Sequence, residues 1–314
     1  MSAGAPGRRR VLFLYNAPGW AIHNVGLDWA GLLADTHAFT FARFGEHERH
    51  DPAHFDHVLW GYSTLRWSGR MLLASLARGP LAWLRWARAR GGRLAAVVQD
   101  PSEVFPETAD WRHAPARTAH LARFARLAVT SNEMREALAA AGFAAVKVNT
   151  RSRLPRRDPA TLAAEPLRAC TRAVDYPRKN LALFRAVQAR ARGVAERCDA
   201  LLGARVLPEA EYVAQLDGYN CYVCTSWQEG GPLPLMDAQR RGCVVLTTRV
   251  GQTDECVEHG VNGYFCASED EFAARLAELA ADPARLLRLR RAALERAAAD
   301  RAADVRAQLA EFLP

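Results

Sequence analysis

Apolar residues in the first half of the chain gather in short unbroken runs rather than alternating with polar ones. The runs span residues 11–15, 38–42, 57–60, 94–99, 127–130 and 145–148. A strand covered by helices on both faces has this pattern, because neither side of it meets water. Segments of helical period lie between them, at 26–34, 72–90 and 134–141. Strand and helix in repeated alternation predict a parallel, doubly wound sheet. The stretch 149–159 is basic, contains Pro155 and Pro159, has no period, and reads as a linker. The rhythm then resumes with a helix over 179–190, a strand over 220–225, a helix over 234–241 and a strand over 243–247. Two Ala/Leu/Arg-rich helices, 269–281 and 283–312, finish the chain. The expected architecture is α/β, with two Rossmann-like domains at 1–155 and 160–296 and a last helix, 297–314, packing back on the first domain. Two such domains facing a cleft hold a ligand beyond the carboxyl ends of their strands.

Composition narrows the class. Half of the 314 residues are hydrophobic and 24% are charged, which suits folded cores rather than a disordered chain. No apolar run approaches the roughly 18 residues of a membrane span. The basic start, 1–10, precedes an apolar run too short for a signal peptide. The seven cysteines are odd in number and confined to the second half, so a reducing cytoplasm is expected rather than a disulfide framework. The net charge is +8, but only Lys147 and Lys179 are lysines among 42 basic residues. Arginine and alanine in such excess reflect a GC-rich coding habit. With no recognition motif beside them, the arginines argue against a nucleic-acid partner.

The chemistry concentrates in residues 225–265. A strand ends at Thr225 and Ser226, and the following loop carries Glu229, Gly230 and Gly231. Pro232 and Pro234 then open a helix, where proline is tolerated in the first turn. Glycines before a helix N-terminus let backbone N–H groups approach an anion, and the helix dipole adds attraction. Asp237 follows Glu229 by eight positions, inside the helix. Two carboxylates so placed can hold hydroxyls on either side of a diphosphate.

This window resembles the C-terminal domain of retaining GT-B glycosyltransferases of the family 4 (group 1) type. The family's E-x7-E pattern stands here as Glu229-x7-Asp237. Its later motifs stand as Gly242-Cys-Val-Val-Leu-Thr-Thr, Gly251-Gln-Thr-Asp-Glu255 and Gly260-Val-Asn-Gly263. The resemblance implies a sugar transfer from a nucleotide-sugar to a glycan or lipid-linked acceptor, with no metal and no cofactor. It implies that Glu229 binds the donor sugar and that Asp237 stands where the family has a ribose-binding Glu. Arg172 and Lys179 would neutralise the leaving diphosphate, with Arg178 able to replace either. Gly230, Gly231, Leu233 and Glu255 would complete the donor site. On the acceptor side the loop with Gly19 and His23, and Asp100 at a strand end, are the candidates. Only about 50 residues separate Arg172 from Cys221, so the second domain is shorter than the family's usual one. That keeps two alternatives open: a non-catalytic sugar-nucleotide or glycan-binding relative, and a GT-B epimerase.

Other clusters read more plainly. His47, His50, His54 and His57 fall within eleven residues, but Pro52 interrupts them and a solvated loop is the expectation over a metal site. Cys221 and Cys224 lie three apart on a strand, so they point to opposite faces and read as buried thiols. Residues 66–93 carry seven arginines, no acid, and Trp67, Trp83 and Trp86. Arginine with tryptophan suits an anionic lipid surface, giving an expected peripheral contact at the inner face of the membrane.

Overall fold

In the computed structural model, the structure describes residues 7–44, 46, 49–61, 94–99, 121–122, 124–174, 176–203, 206–298 and 301–314. The chain divides into two compact units. One comprises residues 1–150 with 302–314, the other residues 151–301. Asp100, His47 and the 66–93 stretch with its 72–90 helix lie outside the described residues.

Among the described residues the first unit holds six parallel strands: β1 (Arg9–Tyr15), β2 (His37–Arg43), β3 (His57–Trp60), β4 (Leu94–Val98), β5 (Arg126–Val129) and β6 (Val146–Lys147), in the order β2-β1-β3-β4-β5-β6. The apolar runs of β1, β3, β4 and β5 are buried, as strands with two covered faces require, whereas the edge strands β2 and β6 are largely half-buried. Leu12, Leu14, Val58, Trp60, Ala96, Val98, Leu127 and Val129 share one core with Met134 and Leu138. The last two belong to α2 (Asn132–Ala140), which is capped by the Ser131 hydroxyl accepting from Met134 N–H at 3.2 Å. Helix α1 (Ala21–Leu32) follows β1.

Among the described residues the second unit has five parallel strands, β7 (Arg168–Ala173), β8 (Arg197–Leu202), β9 (Cys221–Cys224), β10 (Val244–Thr247) and β11 (Gly263–Phe265), in the order β11-β10-β9-β7-β8. Counted from the first strand of each unit, both sheets share the order 2-1-3-4-5, so each reverses direction between its first and third strands. Ligands of open α/β sheets settle at that reversal, beyond the carboxyl ends. One face of the sheet buries Ala169, Cys221, Val223, Val244 and Leu246. Against it lie α3 (Leu181–Arg190), α7 (Glu269–Ala281) and α8 (Pro283–Ala298), through Phe184, Phe272 and Leu286. The other face buries Cys170, Tyr222, Cys224 and Val245 against α4 (Glu209–Asp217), α5 (Leu233–Arg240) and the single turn α6 (Thr253–Cys256). Cys221 and Cys224 therefore do face opposite cores.

Three readings of the sequence need correction. The stretch 149–159 is not a loose linker: Leu154 enters the second core, and Arg157 N–H donates to the Arg240 carbonyl at 2.9 Å. The single helix over 283–312 is two, α8 and α9 (Ala302–Phe312). They serve different cores. Arg290 of α8, 1% exposed, donates to the Gly242 carbonyl at 2.9 Å, whereas Phe312 of α9 packs edge-on against Trp29 at 5.9 Å. Strands β7, β8 and β11 and helix α4 also come in addition to the elements the pattern predicts.

Among the described residues His57, 6% exposed at the start of β3, has no hydrogen-bond partner at either ring nitrogen. Burial, with Arg126, His37 and Arg9 nearby, pushes it down from 6.5 to about 4. A histidine held neutral by the fold contributes stability above its ordinary value. That contribution is lost as the pH falls, because between 6.5 and about 4 only the unfolded chain takes up the proton. Acidification through this window should cost the first unit up to about 3 kcal/mol. Urea denaturation at several pH values checks this against His57→Gln, which should show a flatter profile. A wild-type profile equally flat would contradict it.

Candidate functional site

The candidate site is built on the carboxyl ends of β7, β9 and β10. After β7 the chain makes a 3₁₀ turn, Pro177–Lys179, and enters α3 through Asn180. Asn180 adopts the left-handed conformation, φ 49° and ψ 50°, rare for a residue with a side chain. Its side chain accepts from Leu183 N–H at 3.4 Å, capping the helix. Thr225, just past β9, donates its hydroxyl to the carbonyls of Lys179 and Asn180, each at 3.2 Å. Trp227 donates its indole N–H to the Pro177 carbonyl at 2.9 Å and its backbone N–H to Arg178 at 3.0 Å. The turn after β7 and the loop after β9 are thereby one tied unit.

That tie brings two cations to Glu229. Its carboxylate is 5% exposed and lies 2.5 Å from the Lys179 ammonium and 3.4 Å from the Arg178 guanidinium. The Ser226 hydroxyl donates to the same oxygen as Lys179, at 2.7 Å. Burial raises the proton affinity of Glu229, but Lys179 and Arg178 outweigh it and hold the acid below its ordinary value. Directly after Glu229, and among the described residues, no acceptor takes the N–H of Gly230 or Gly231. Leu233 N–H is already given to the Gly231 carbonyl at 2.8 Å.

Asp237 sits in a second group. The Ser152 hydroxyl donates to one of its oxygens at 2.5 Å and the Tyr212 hydroxyl to the other at 3.1 Å. Burial pushes this acid up to about 6, against the pull of both hydroxyls and of Arg172 and Arg240. Arg172 caps the group: its guanidinium stands 4.7 Å over the Tyr212 ring and donates to Gln215 at 3.0 Å. The geometry thus separates the three cations, placing Arg178 and Lys179 with Glu229 and Arg172 on the side of Asp237. Glu255 pairs with Arg301 at 3.0 Å.

Ser226, Tyr212, Ser152 and Gln215 were not among the sequence candidates. Ser226 had a signal, standing at the strand end three residues before Glu229. Tyr212 and Ser152 had none, since one lies on a helix without a clear apolar stripe and the other in the stretch read as a linker.

In the first unit the loop after β1 carries Gly19, whose φ is +75°. Its N–H donates to His23 Nδ1 at 3.0 Å, and the His23 ring packs against Tyr15 with centroids 4.4 Å apart and planes tilted by 34°. The neutral ring therefore carries its proton on Nε2. His50 and His54 lie just before β3. Among the described residues no three His, Cys, Asp or Glu side chains are arranged to hold a metal, and no helix is long and apolar enough to cross a membrane.

Two parallel α/β units of this order, each with its loops gathered beyond the strand ends, define the GT-B fold of glycosyltransferases. Residues 175–282, which hold the Glu229 loop and Asp237, match the family of glycosyl transferases group 1. No curated protein matches the sequence. Among solved structures, the chain is similar to Anabaena HepE in complex with UDP and glucose, at a TM-score of 0.66 and 16% identity, covering 98% of this chain and 99% of that one. It is also similar to sucrose-phosphate synthase from Thermosynechococcus elongatus, at 0.67 and 12%, covering 97% and 98%. Staphylococcus aureus TarM aligns at 0.60 and 11%, covering 82% of this chain and 55% of that one. At such identities the likeness is one of fold.

Gly251, in the loop after β10, supports the Glu229 loop from below. Its φ is +55°, and a Cβ there would stand 2.4 Å from the Gly230 carbonyl oxygen and 2.8 Å from that of Glu229. Gly251→Ala should therefore destabilise the second unit by about 1–3 kcal/mol, measured by chemical denaturation. Unchanged stability would show that the loop yields without strain.

Proposed function

We propose that the chain is a retaining, metal-independent glycosyltransferase that moves a sugar from a nucleotide-sugar to a glycan or lipid-linked acceptor. The observation that carries this is the buried Glu229 with Lys179 and Arg178, set immediately before two glycines whose N–H groups have no acceptor among the described residues. The match of residues 175–282 to glycosyl transferases group 1 supports it, as do UDP and glucose bound by HepE.

In this reading the diphosphate lies on the Gly230 and Gly231 N–H groups at the start of α5, where the helix dipole favours negative charge. An ammonium has three donors. Lys179 spends one on Glu229 and turns the others to the leaving group, with Arg178 beside it. Glu229 is ionised and accepts from a sugar hydroxyl, fixing the ring above the diphosphate. The bond from the anomeric carbon to the phosphate oxygen breaks, and the acceptor oxygen bonds to that carbon on the same face. The departing phosphate oxygen takes the acceptor proton. Charge stabilisation of the diphosphate by fixed donors supplies most of the acceleration.

Asp237, with Ser152 and Tyr212, takes the ribose hydroxyls, and Tyr212 extends the reach that an aspartate lacks relative to a glutamate. Arg172 holds Tyr212 in place. His23 and Gly19 serve the acceptor side, as does Asp100, which lies outside the described residues. The basic, Trp-containing 66–93 stretch would bring the enzyme to a lipid-linked acceptor at the inner membrane face.

Lys179→Ala and Glu229→Gln should each lower turnover about 100-fold with the unfolding midpoint little changed. Lys179→Arg should recover only part, because a planar guanidinium replaces a compact point charge. Near-wild-type rates in the first two would refute the assignment, and nucleotide-sugar binding with no turnover or donor hydrolysis in wild type would identify a binding module instead.

Nucleoside diphosphate affinity should fall as the pH drops through about 6, because protonated Asp237 loses acceptor capacity toward the ribose. Calorimetric titration from pH 5 to 8 should show a larger fall in wild type than in Asp237→Asn, which keeps only the part due to the ligand's own terminal phosphate, titrating at about 6. A fall of equal size in the variant would place its origin elsewhere.

A further inference from the structure

The described residues hold two exposed Phe, Tyr or Trp side chains, Tyr176 at 39% and Trp227 at 38%. Apolar side chains scattered singly over a surface are ordinary. These two are not scattered. Tyr176 immediately precedes the 3₁₀ turn that carries Arg178 and Lys179, and Trp227 shortly precedes Glu229. One lies on each of the two loops that meet at the buried carboxylate.

Both are joined to that site. The Trp227 indole N–H is given to the Pro177 carbonyl at 2.9 Å, so the ring is fixed before anything binds and its one polar group is spent. What it still offers a ligand is apolar ring surface. The Arg178 guanidinium stands 5.5 Å from the centre of the Tyr176 ring and 3.4 Å from Glu229, a continuous line of contacts from phenol to carboxylate. A fixed aromatic surface beside charged donors suits a ligand with hydroxyls around its rim and an apolar face, and a pyranose ring is built that way. A nucleobase fits less well. It follows the ribose, and the ribose is assigned to Asp237, which comes after Glu229 and the two glycines, whereas Trp227 comes before them.

We propose that Tyr176 and Trp227 form a platform on which a pyranose ring of the acceptor rests, so that the acceptor is a glycan at its reacting end whether or not a lipid follows it. The assignment rests on the donor reading above. Transfer with retention needs the acceptor oxygen beside the departing phosphate oxygen. Arg178, assigned to that phosphate, is the cation that also stands over Tyr176. A ring stacked there presents its hydroxyls on the side where the leaving group departs.

Calorimetry first establishes UDP-glucose binding by the full chain; its absence fails the donor reading, and the acceptor assignment with it. With UDP-glucose in excess, saturation transfer is then read from the protein to the ring protons of methyl β-D-glucopyranoside. Stacking should concentrate the transfer on H1, H3 and H5, which share one face of that ring. Trp227→Phe keeps an aromatic face and should keep the pattern, whereas Trp227→Ala should cut the transfer about fivefold or more. Tyr176→Ala should do the same. Because it leaves both bonds of Trp227 to the turn in place, it decides the matter should Trp227→Ala unfold. Transfer spread evenly over the ring protons, transfer unaltered by Tyr176→Ala, or none at all overturns the platform while the donor reading stands. So does a pattern seen without UDP-glucose and abolished by it, because the ring then occupies the donor-sugar subsite.

Discussion

A carboxylate taken out of water must be neutralised in place, and much of the second unit's local structure answers that demand at Glu229. The penalty for burying an unpaired ion is several kcal/mol, more than most single contacts return. Two consecutive cations meet it, and consecutive residues can reach one point only from a tight turn. The 3₁₀ turn at Pro177–Lys179 provides it, and the left-handed Asn180 allows α3 to start immediately afterwards. Thr225 and Trp227 bind that turn to the loop after β9 through backbone carbonyls, so the geometry does not depend on the charges alone. Gly251 then lets the loop after β10 close beneath it. Three loops from three strands that are neighbours in the sheet thus converge on one carboxylate.

The sheet order explains why they can. β7, β9 and β10 are adjacent although β8 intervenes in sequence, because β8 is placed on the outside of β7. The reversal leaves the carboxyl ends of β7 and β9 side by side, with their helices on opposite faces, and opens space above them. Lys179 comes from one side of that space and Glu229 from the other.

What the sequence made legible follows from burial. Strands whose both faces are covered write themselves as apolar runs, and β1, β3, β4, β9 and β10 were readable for that reason. β8 was not, because it is an edge strand whose Arg197 and Asp199 face outward and pair with each other at 2.8 Å. β7 was hidden by Arg168, Thr171 and Arg172, and β11 is only three residues long. The Glu229 loop was legible because glycine, proline and carboxylate spacing is local. Its partners were only half legible: Lys179 stood out as one of two lysines, whereas Ser152 and Tyr212 reach Asp237 across 85 and 25 residues of sequence. No local pattern records such a meeting. The division of the cations was equally invisible, since the strand that carries Arg172 and the turn that carries Lys179 are separated only by a few residues.

Two carboxylates eight residues apart are thus set in opposite electrostatic conditions. Glu229 has ammonium and guanidinium against it, which hold it below the ordinary carboxylate value. Asp237 has two hydroxyls, which satisfy its oxygens without supplying charge, and burial leaves it near 6. The guanidinium that acts on it most strongly, that of Arg172, is directed onto the Tyr212 ring and Gln215 instead. An arginine paired with Asp237 would have lowered its proton affinity and also filled its acceptor lone pairs. Hydroxyl partners leave one lone pair on each oxygen open, which is the arrangement a vicinal diol requires. The same backbone segment therefore presents one acid kept charged by cations and another kept available by neutral donors, and the identity of their partners, more than the spacing of the acids, separates the two roles.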